Sequence, residues 1–155
     1  PVDKAVLIEA VKLAGRAPSV CNRQSGRVYL TQDRERIDKA LALQHGASGF
    51  SEQVPALMVV ASDLRTFVGF TERNQPYVDA GLFGMHLLHA LHYYGLGACP
   101  LHWCVQPHRD QALRELLDIA PQHAIAFLIA AGHLPETLRV AASPRLPEQD
   151  ILIGR

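Results

Sequence analysis

Between Ala17 and Gln24 the chain reads Ala-Pro-Ser-Val-Cys-Asn-Arg-Gln. Ser19, Asn22, Arg23 and Gln24 bring a hydroxyl, two side-chain amides and a guanidinium into one short stretch. Such a set suits a flat heterocycle with alternating donors and acceptors, or a phosphate; it also suits a plain polar loop in which Asn and Ser close turns. A second stretch, Gly95-Leu-Gly-Ala-Cys-Pro-Leu-His-Trp103, carries two glycines. They allow a backbone to pass close to a ligand, or they only end a helix, and Trp103 reads as a core or interface residue. In Ser143-Pro-Arg-Leu-Pro147 an arginine stands between two prolines. It is stiffly presented and can hold a phosphate bidentately, or it is solvated on a loop. His86, His89 and His92 recur every third residue, with His102 and His108 beyond them. Metal ligands use such spacings, but no acidic ligand accompanies them, and histidines that pack a helix explain them as well. Cys21, Cys99 and Cys104 read as small apolar residues rather than nucleophiles. No Ser-His-Asp arrangement, P-loop or Gly-x-Gly-x-x-Gly fingerprint is present.

The elements that must hold these residues follow from hydrophobic periodicity. Residues 3–15 form an amphipathic helix with Leu7, Ala10, Val11 and Ala14 on one side, ended by Gly15 and Pro18. Arg27 to Thr31 is a short strand, and residues 33–44 form a second helix with Ile37, Ala40, Leu41 and Gln44 in line. Ala56 to Ala61 and Ala124 to Ala131 are continuous apolar runs, suited to strands buried on both faces. Residues 77–94 make a long helix apolar all round, which requires burial on every side. Gly81 and Gly84 open it to close approach by another backbone, and its second face predicts a subunit interface and a dimer. Gly95 and Gly97 stop it, and Ala98 to Leu101 is a short strand or an extended turn. Pro107 opens a helix with Ala112, Leu113, Leu116 and Leu117 inward. The proline-containing tail after Gly132 is extended, with Ile151 to Ile153 as an edge strand, on its own sheet or on the partner's. The fold class is α+β, or mixed α/β, with helices covering a short sheet.

Composition bounds the rest. The 155 residues suit one domain spanning 1–155, and 48% of them are hydrophobic, which excludes disorder. Fifteen Lys and Arg balance fifteen Asp and Glu, so no basic excess points to nucleic acid or to an anionic membrane. Three cysteines cannot all pair, which disfavours a secreted disulfide framework. With neither a signal peptide nor a spanning segment in view, the expectation is a soluble cytoplasmic protein. Pro1 is not an initiator, so residues upstream of it have been removed or left out.

Taken in order, the pieces resemble the FMN-dependent nitroreductase family. The resemblance runs through the first helix into Ala17-Pro18-Ser19 and Asn22-x-Gln24. It continues through Asp79-Ala80-Gly81 and the long helix that ends in Tyr94-Gly95-Leu96-Gly97-Ala98-Cys99-Pro100. It closes on Gly132-His133-Leu134-Pro135 and on Pro144-Arg145-Leu146-Pro147-Glu148. The family implies a three-layer fold with a mainly antiparallel central sheet flanked by helices. It also implies a homodimer with two FMN sites, each built from both subunits.

By position, Ser19, Asn22 and Gln24 match the loop that meets the flavin ring and ribityl chain. Pro100, Leu101, His102 and Trp103 match the segment whose backbone lies along the ring, where an N–H bonds to its N5 edge. Arg145 matches the arginine on the phosphate, and Ser143 stands at a second phosphate-side position that is often Lys. No side chain is implied as nucleophile, because the flavoprotein's cofactor carries the chemistry. The implied activity is that of an FMN-dependent oxidoreductase. A hydride from NADH or NADPH passes to FMN, and a small acceptor such as a nitroaromatic or quinone is then reduced in ping-pong order.

Three departures stand beside this. The family's Arg-rich segment would lie before Pro1. Ser25-Gly26 replaces the aromatic that usually follows the Gln. The stretch from Ser62 to Tyr77 is short, which implies a more open pocket. Two alternatives stay open: a flavin-binding relative with altered or lost turnover, and a metal-binding protein using His86, His89 and His102.

Overall fold

The computed structural model describes residues 1–138, 140 and 142–154. Its centre is a four-stranded sheet of β1 (Gly26–Thr31), β2 (Ala56–Asp63), β3 (Leu96–His102) and β4 (His123–His133), in the order β1-β2-β4-β3. Every neighbouring pair is antiparallel. β2 and β4 are the apolar runs of the sequence, and the topology explains their composition: they are the two inner strands. β2 is buried along its whole length. Alternation divides its side chains between two cores. Leu57 and Val59 join Ile37, Leu41, Leu113, Leu117 and Leu128 on one face, under α2 (Arg34–Gln44) and α4 (Pro107–Leu117). Ala56, Met58 and Val60 join Leu7, Ala10, Leu87, Leu91 and Ile129 on the other, under α1 (Lys4–Ala14) and α3 (Gln75–Tyr93). The three-layer arrangement expected from the sequence is therefore present.

Helix starts follow local chemistry. Asp3 accepts from the Ala5 N–H and Asp33 from the Arg36 N–H, each satisfying a donor that the first turn leaves free. Helix α2 buries Ile37, Ala40, Leu41 and Gln44, the stripe read from spacing.

Four expectations change. Helix α3 is not buried all round. Ala80, Gly84, Leu87, Ala90 and Leu91 face the core, whereas Tyr77, Val78, Leu82 and Met85 are each about half exposed. The space over Gly84 belongs to a ring rather than to a backbone: a Cβ there would lie 2.1 Å from Phe127 Cζ, and nothing lies within 4 Å of one at Gly81. Gly97 does not stop the helix. Gly95, at φ 76°, makes the turn, and Gly97 is already in β3, where a Cβ would meet Leu134 Cδ2 at 2.7 Å. Finally, Ile151 is the last residue of a one-turn helix, α5 (Glu148–Ile151), rather than the start of an edge strand. Pro147 sits at its N-cap, and among the described residues the tail adds no strand to the sheet. Among the described residues, no helix is long and apolar enough to cross a membrane.

Candidate functional site

The loop from Ser19 to Gln24 departs most from ordinary backbone geometry. Cys21, Asn22 and Gln24 all have positive φ (48°, 55° and 52°). Asn tolerates this left-handed region, but Cys and Gln rarely enter it. Each such residue costs of order 1–3 kcal/mol and persists only where its surroundings over-determine it. Here the ties are plain. Gln24 N–H donates to Ser19 Oγ at 2.9 Å, and Asn22 N–H to the Ser19 carbonyl at 3.0 Å. Val20 N–H reaches both carboxylate oxygens of Asp79 at 3.3 and 3.2 Å. Arg23 pairs with Glu72 through Nη1, at 2.9 and 2.8 Å, which joins the loop to the segment before α3. That contact holds the Glu72 carboxyl below its usual range, with the Val68 N–H adding to the effect. Arg27 closes the far end by donating to the Gln24 and Gly26 carbonyls, each at 2.9 Å.

Beside this loop lies a cleft of about 330 Å³ between α1, the start of β1 and α3. Ser19, Gln24, Ser25, Arg27 and Asp79 supply its polar lining, and Val11, Val28 and Phe83 its apolar walls. Phe83 packs on Gly26, where a Cβ would come within 2.9 Å of the ring. The Ser25-Gly26 pair therefore makes room for this ring. The Ser25 hydroxyl is fully buried and, among the described residues, has no hydrogen-bond partner. Asn22 and Gln24 are exposed. Among the described residues the Asn22 amide has no partner, and that of Gln24 meets only the Asn22 carbonyl, at 3.4 Å.

The second group of expected site residues stands elsewhere. Pro100, Leu101 and His102 end β3, at the sheet edge opposite β1. Two strands intervene, so the two edges lie about 14 Å apart at the usual strand spacing. Pro100 and His102 are exposed, whereas Leu101 and the Trp103 indole are buried in the core under α2 and α4. Trp103 Nε1 donates to Asp110 Oδ1 at 2.8 Å, so its side chain fulfils the core reading. Gln44, read only as part of a helix stripe, braces this edge from behind. Its Nε2 donates to the His102 carbonyl at 3.2 Å, and its Oε1 accepts from Gly46 N–H at 2.7 Å. A glutamine at a core-facing position was the signal for it.

Ser143 and Arg145 lie on the exposed tail. Arg145 Nη1 donates to the Ser143 carbonyl at 2.9 Å, and among the described residues no carboxylate pairs with it. One protomer thus presents three separate groups: the Ser19–Gln24 loop, the end of β3, and the tail. Among the described residues no three His, Cys, Asp or Glu side chains are grouped to hold a metal ion, so His86, His89 and His102 form no common centre.

A polar cluster lies at the end of β2. Asp63, almost fully buried, accepts from Arg65 and Arg27. The Arg65 guanidinium holds its carboxyl far below the usual carboxylate range, against the opposing effect of burial. His123 stands 3.6 Å from it and meets the Tyr29 hydroxyl at 2.6 Å. That hydroxyl also accepts from Ala120 N–H at 3.0 Å. Burial pushes the imidazole pKa down, despite the pull of Asp63 in the other direction. The lining of the cleft includes none of Tyr29, Asp63 and His123, and the cluster reads as structural.

Comparison with known proteins agrees with the fold. The family model described as "Nitroreductase family" matches residues 42–133. A search of curated proteins finds no match. Among solved structures, the ydfN protein of Bacillus subtilis superposes with a TM-score of 0.85 at 17% identity, over 100% of this chain and 89% of its own. A nitroreductase family protein of Streptococcus pneumoniae gives 0.81 at 21% identity, over 99% and 90%. An FMN-dependent nitroreductase of Clostridium difficile gives 0.74 at 20% identity, over 91% and 82%. The family match covers more than half of the chain, and its four antiparallel strands and covering helices superpose on these structures; the chain belongs to the nitroreductase family, a family of oxidoreductases.

Proposed function

We propose that this protein is an FMN-dependent NAD(P)H oxidoreductase that works as a homodimer. The observation that carries the reading is the division of the expected flavin contacts between opposite edges of one protomer, next to a helix α3 whose outer apolar face is about half exposed. Pairing two protomers across α3 supports a site that takes the Ser19–Gln24 loop from one subunit and the end of β3 from the other. The donor set fits FMN. Asn22 and Gln24 offer exposed amides to the polar edge of a flat heterocycle, Phe83 and Val28 offer apolar surface, and Arg145 offers an exposed cation for the phosphate. The buried Ser25 hydroxyl, without a partner among the described residues, adds a further polar group at the cleft.

Bound FMN would supply the redox chemistry, taking a hydride from NADH or NADPH and passing electrons to a small acceptor such as a nitroaromatic or a quinone. This chain's own part is to bind, orient and shield. Ser19, Asn22 and Gln24 fix the ring and ribityl chain, the backbone of Pro100 to Trp103 lines the ring, and Ser143 and Arg145 hold the phosphate.

The test is the absorption spectrum of the purified protein after addition of FMN, followed by NADH or NADPH. The expected result is a bound flavin spectrum that bleaches with the nicotinamide and recovers with a quinone. A protein that takes up no FMN overturns the reading. One that binds FMN without turnover leaves a flavin-binding relative whose activity is altered.

A further inference from the structure

We propose that Asp79 is a positioning residue that holds the Ser19–Gln24 loop in its flavin-facing conformation, an inference that rests on the flavin reading above. Asp79 lies in the second turn of α3, is 2% exposed, and lines the cleft beside Ser19 and Gln24. Among the described residues no cation pairs with it. A carboxylate removed from water needs hydrogen bonds to stand in for its lost hydration. Two groups supply them: the Val20 N–H, from 59 residues earlier in the chain, and Gln75 Nε2 at 2.9 Å, one helical turn back.

The chemistry of this triplet explains why the residue is an acceptor. As oriented, Val20 N–H and Gln75 Nε2 both donate, and a carboxylate accepts from both without either turning. An asparagine of the same shape keeps the Val20 bond by donating its NH₂ to the Gln75 amide oxygen once that amide has turned over. The Val20 N–H is also the inward-facing end of the strained loop. Among its side-chain ties to other elements, Arg23 to Glu72 is partly open to solvent and the Arg27 contacts lie at the far end, so the tie that ends on a fully buried side chain is the one to Asp79. Losing it frees Val20 and, through the Asn22 N–H bond to Ser19, relaxes the left-handed residues that present Asn22 and Gln24.

The experiment uses the whole protein in three forms: wild type, Asp79→Leu and Asp79→Asn. The leucine keeps the bulk and removes the acceptor. The amide introduced by Asp79→Asn still accepts from Val20 N–H while it donates to Gln75 Oε1, once the Gln75 amide has turned over. Two quantities are read: FMN affinity by titration of flavin fluorescence, and amide hydrogen exchange of residues 19–24 in the FMN-free protein. The expected result is about a tenfold weaker FMN affinity in Asp79→Leu, with faster exchange confined to the loop and unchanged in β2 and β4. Asp79→Asn stays close to wild type in both.

Unaltered exchange in Asp79→Leu overturns the proposal, as does FMN affinity equal to wild type. An Asp79→Asn form as weak as Asp79→Leu does the same, because it shows that the hydrogen bond to Val20 was not what mattered. If Asp79→Leu fails to fold, Asp79→Ala is read in its place, with the same two outcomes. If wild type binds no FMN, the flavin reading fails by itself, and the exchange data separately report whether Asp79 anchors the loop.

Discussion

At the scale of single residues, the groups proposed to meet a ligand are those with spare hydrogen-bonding capacity. Among the described residues the exposed Asn22 amide has no partner, and the Arg145 guanidinium meets only neighbouring carbonyls. Replacing Arg145 with Ala should weaken FMN binding by about 1.5–3 kcal/mol, the scale of a hydrogen bond to a charged group. Equal occupancy by flavin titration would remove it from the phosphate site. Asn22→Ala should reduce flavin affinity or turnover while the melting temperature holds; kinetics identical to wild type would count Asn22 out.

His123 makes a different kind of statement. Burial depresses its pKa, so the unfolded chain takes up its proton at a higher pH than the native one does. Stability must then fall as pH drops below about 6.5, the ordinary histidine value. Asp63, also depressed, adds loss at lower pH, beginning near the ordinary carboxylate range. Denaturant unfolding at pH 7.5 and 5.5 should show this decline, and it should shrink in His123→Gln. A stability unchanged between those values would show that the imidazole is not held neutral by the fold.

At the scale of elements, α3 organises the molecule. One side packs on the sheet, and its closest point is Gly84 under the Phe127 ring. A methyl group there gains about 1 kcal/mol of helix propensity but collides with the ring. Overpacking of this kind costs about 1–3 kcal/mol. Gly84→Ala should therefore lower the melting temperature, and Phe127→Leu in the same chain should return much of the loss. A stabilised Gly84→Ala would mean that the ring moves aside freely. Legibility also varied by element. The stripes of α1, α2 and α4 could be read from spacing because each has one apolar side. The apolar composition of α3 says that both sides need cover but not which cover comes from where. Gly97 could not be told from a helix stop, because a strand glycine under Leu134 and a capping glycine look alike in one dimension.

At the scale of the whole molecule, the exposed row Tyr77, Val78, Leu82 and Met85 sets the expected assembly. A monomer in water rarely leaves so much contiguous apolar surface open. Sedimentation should find a dimer for the wild type. Changing Leu82 and Met85 together to Asp should give monomers that keep their far-UV spectrum but lose FMN. A monomeric wild type, or a monomeric variant with full flavin affinity, would overturn a site shared between subunits.

The sequence by itself determined the two inner strands, three of the four long helices with their buried stripes, and the identity of the polar loop. All of these depend on local periodicity and on residue chemistry within a few positions. Only the tertiary structure decided what those residues do together. It set Asp79 against Val20 across 59 positions, put Gln44 behind His102, and sent the Ser19 loop and the end of β3 to opposite edges of one sheet. The reason is physical. Apolar periodicity says that a face must be buried but is silent about its partner, and a hydrogen bond between distant segments exists only once strand order has brought them together.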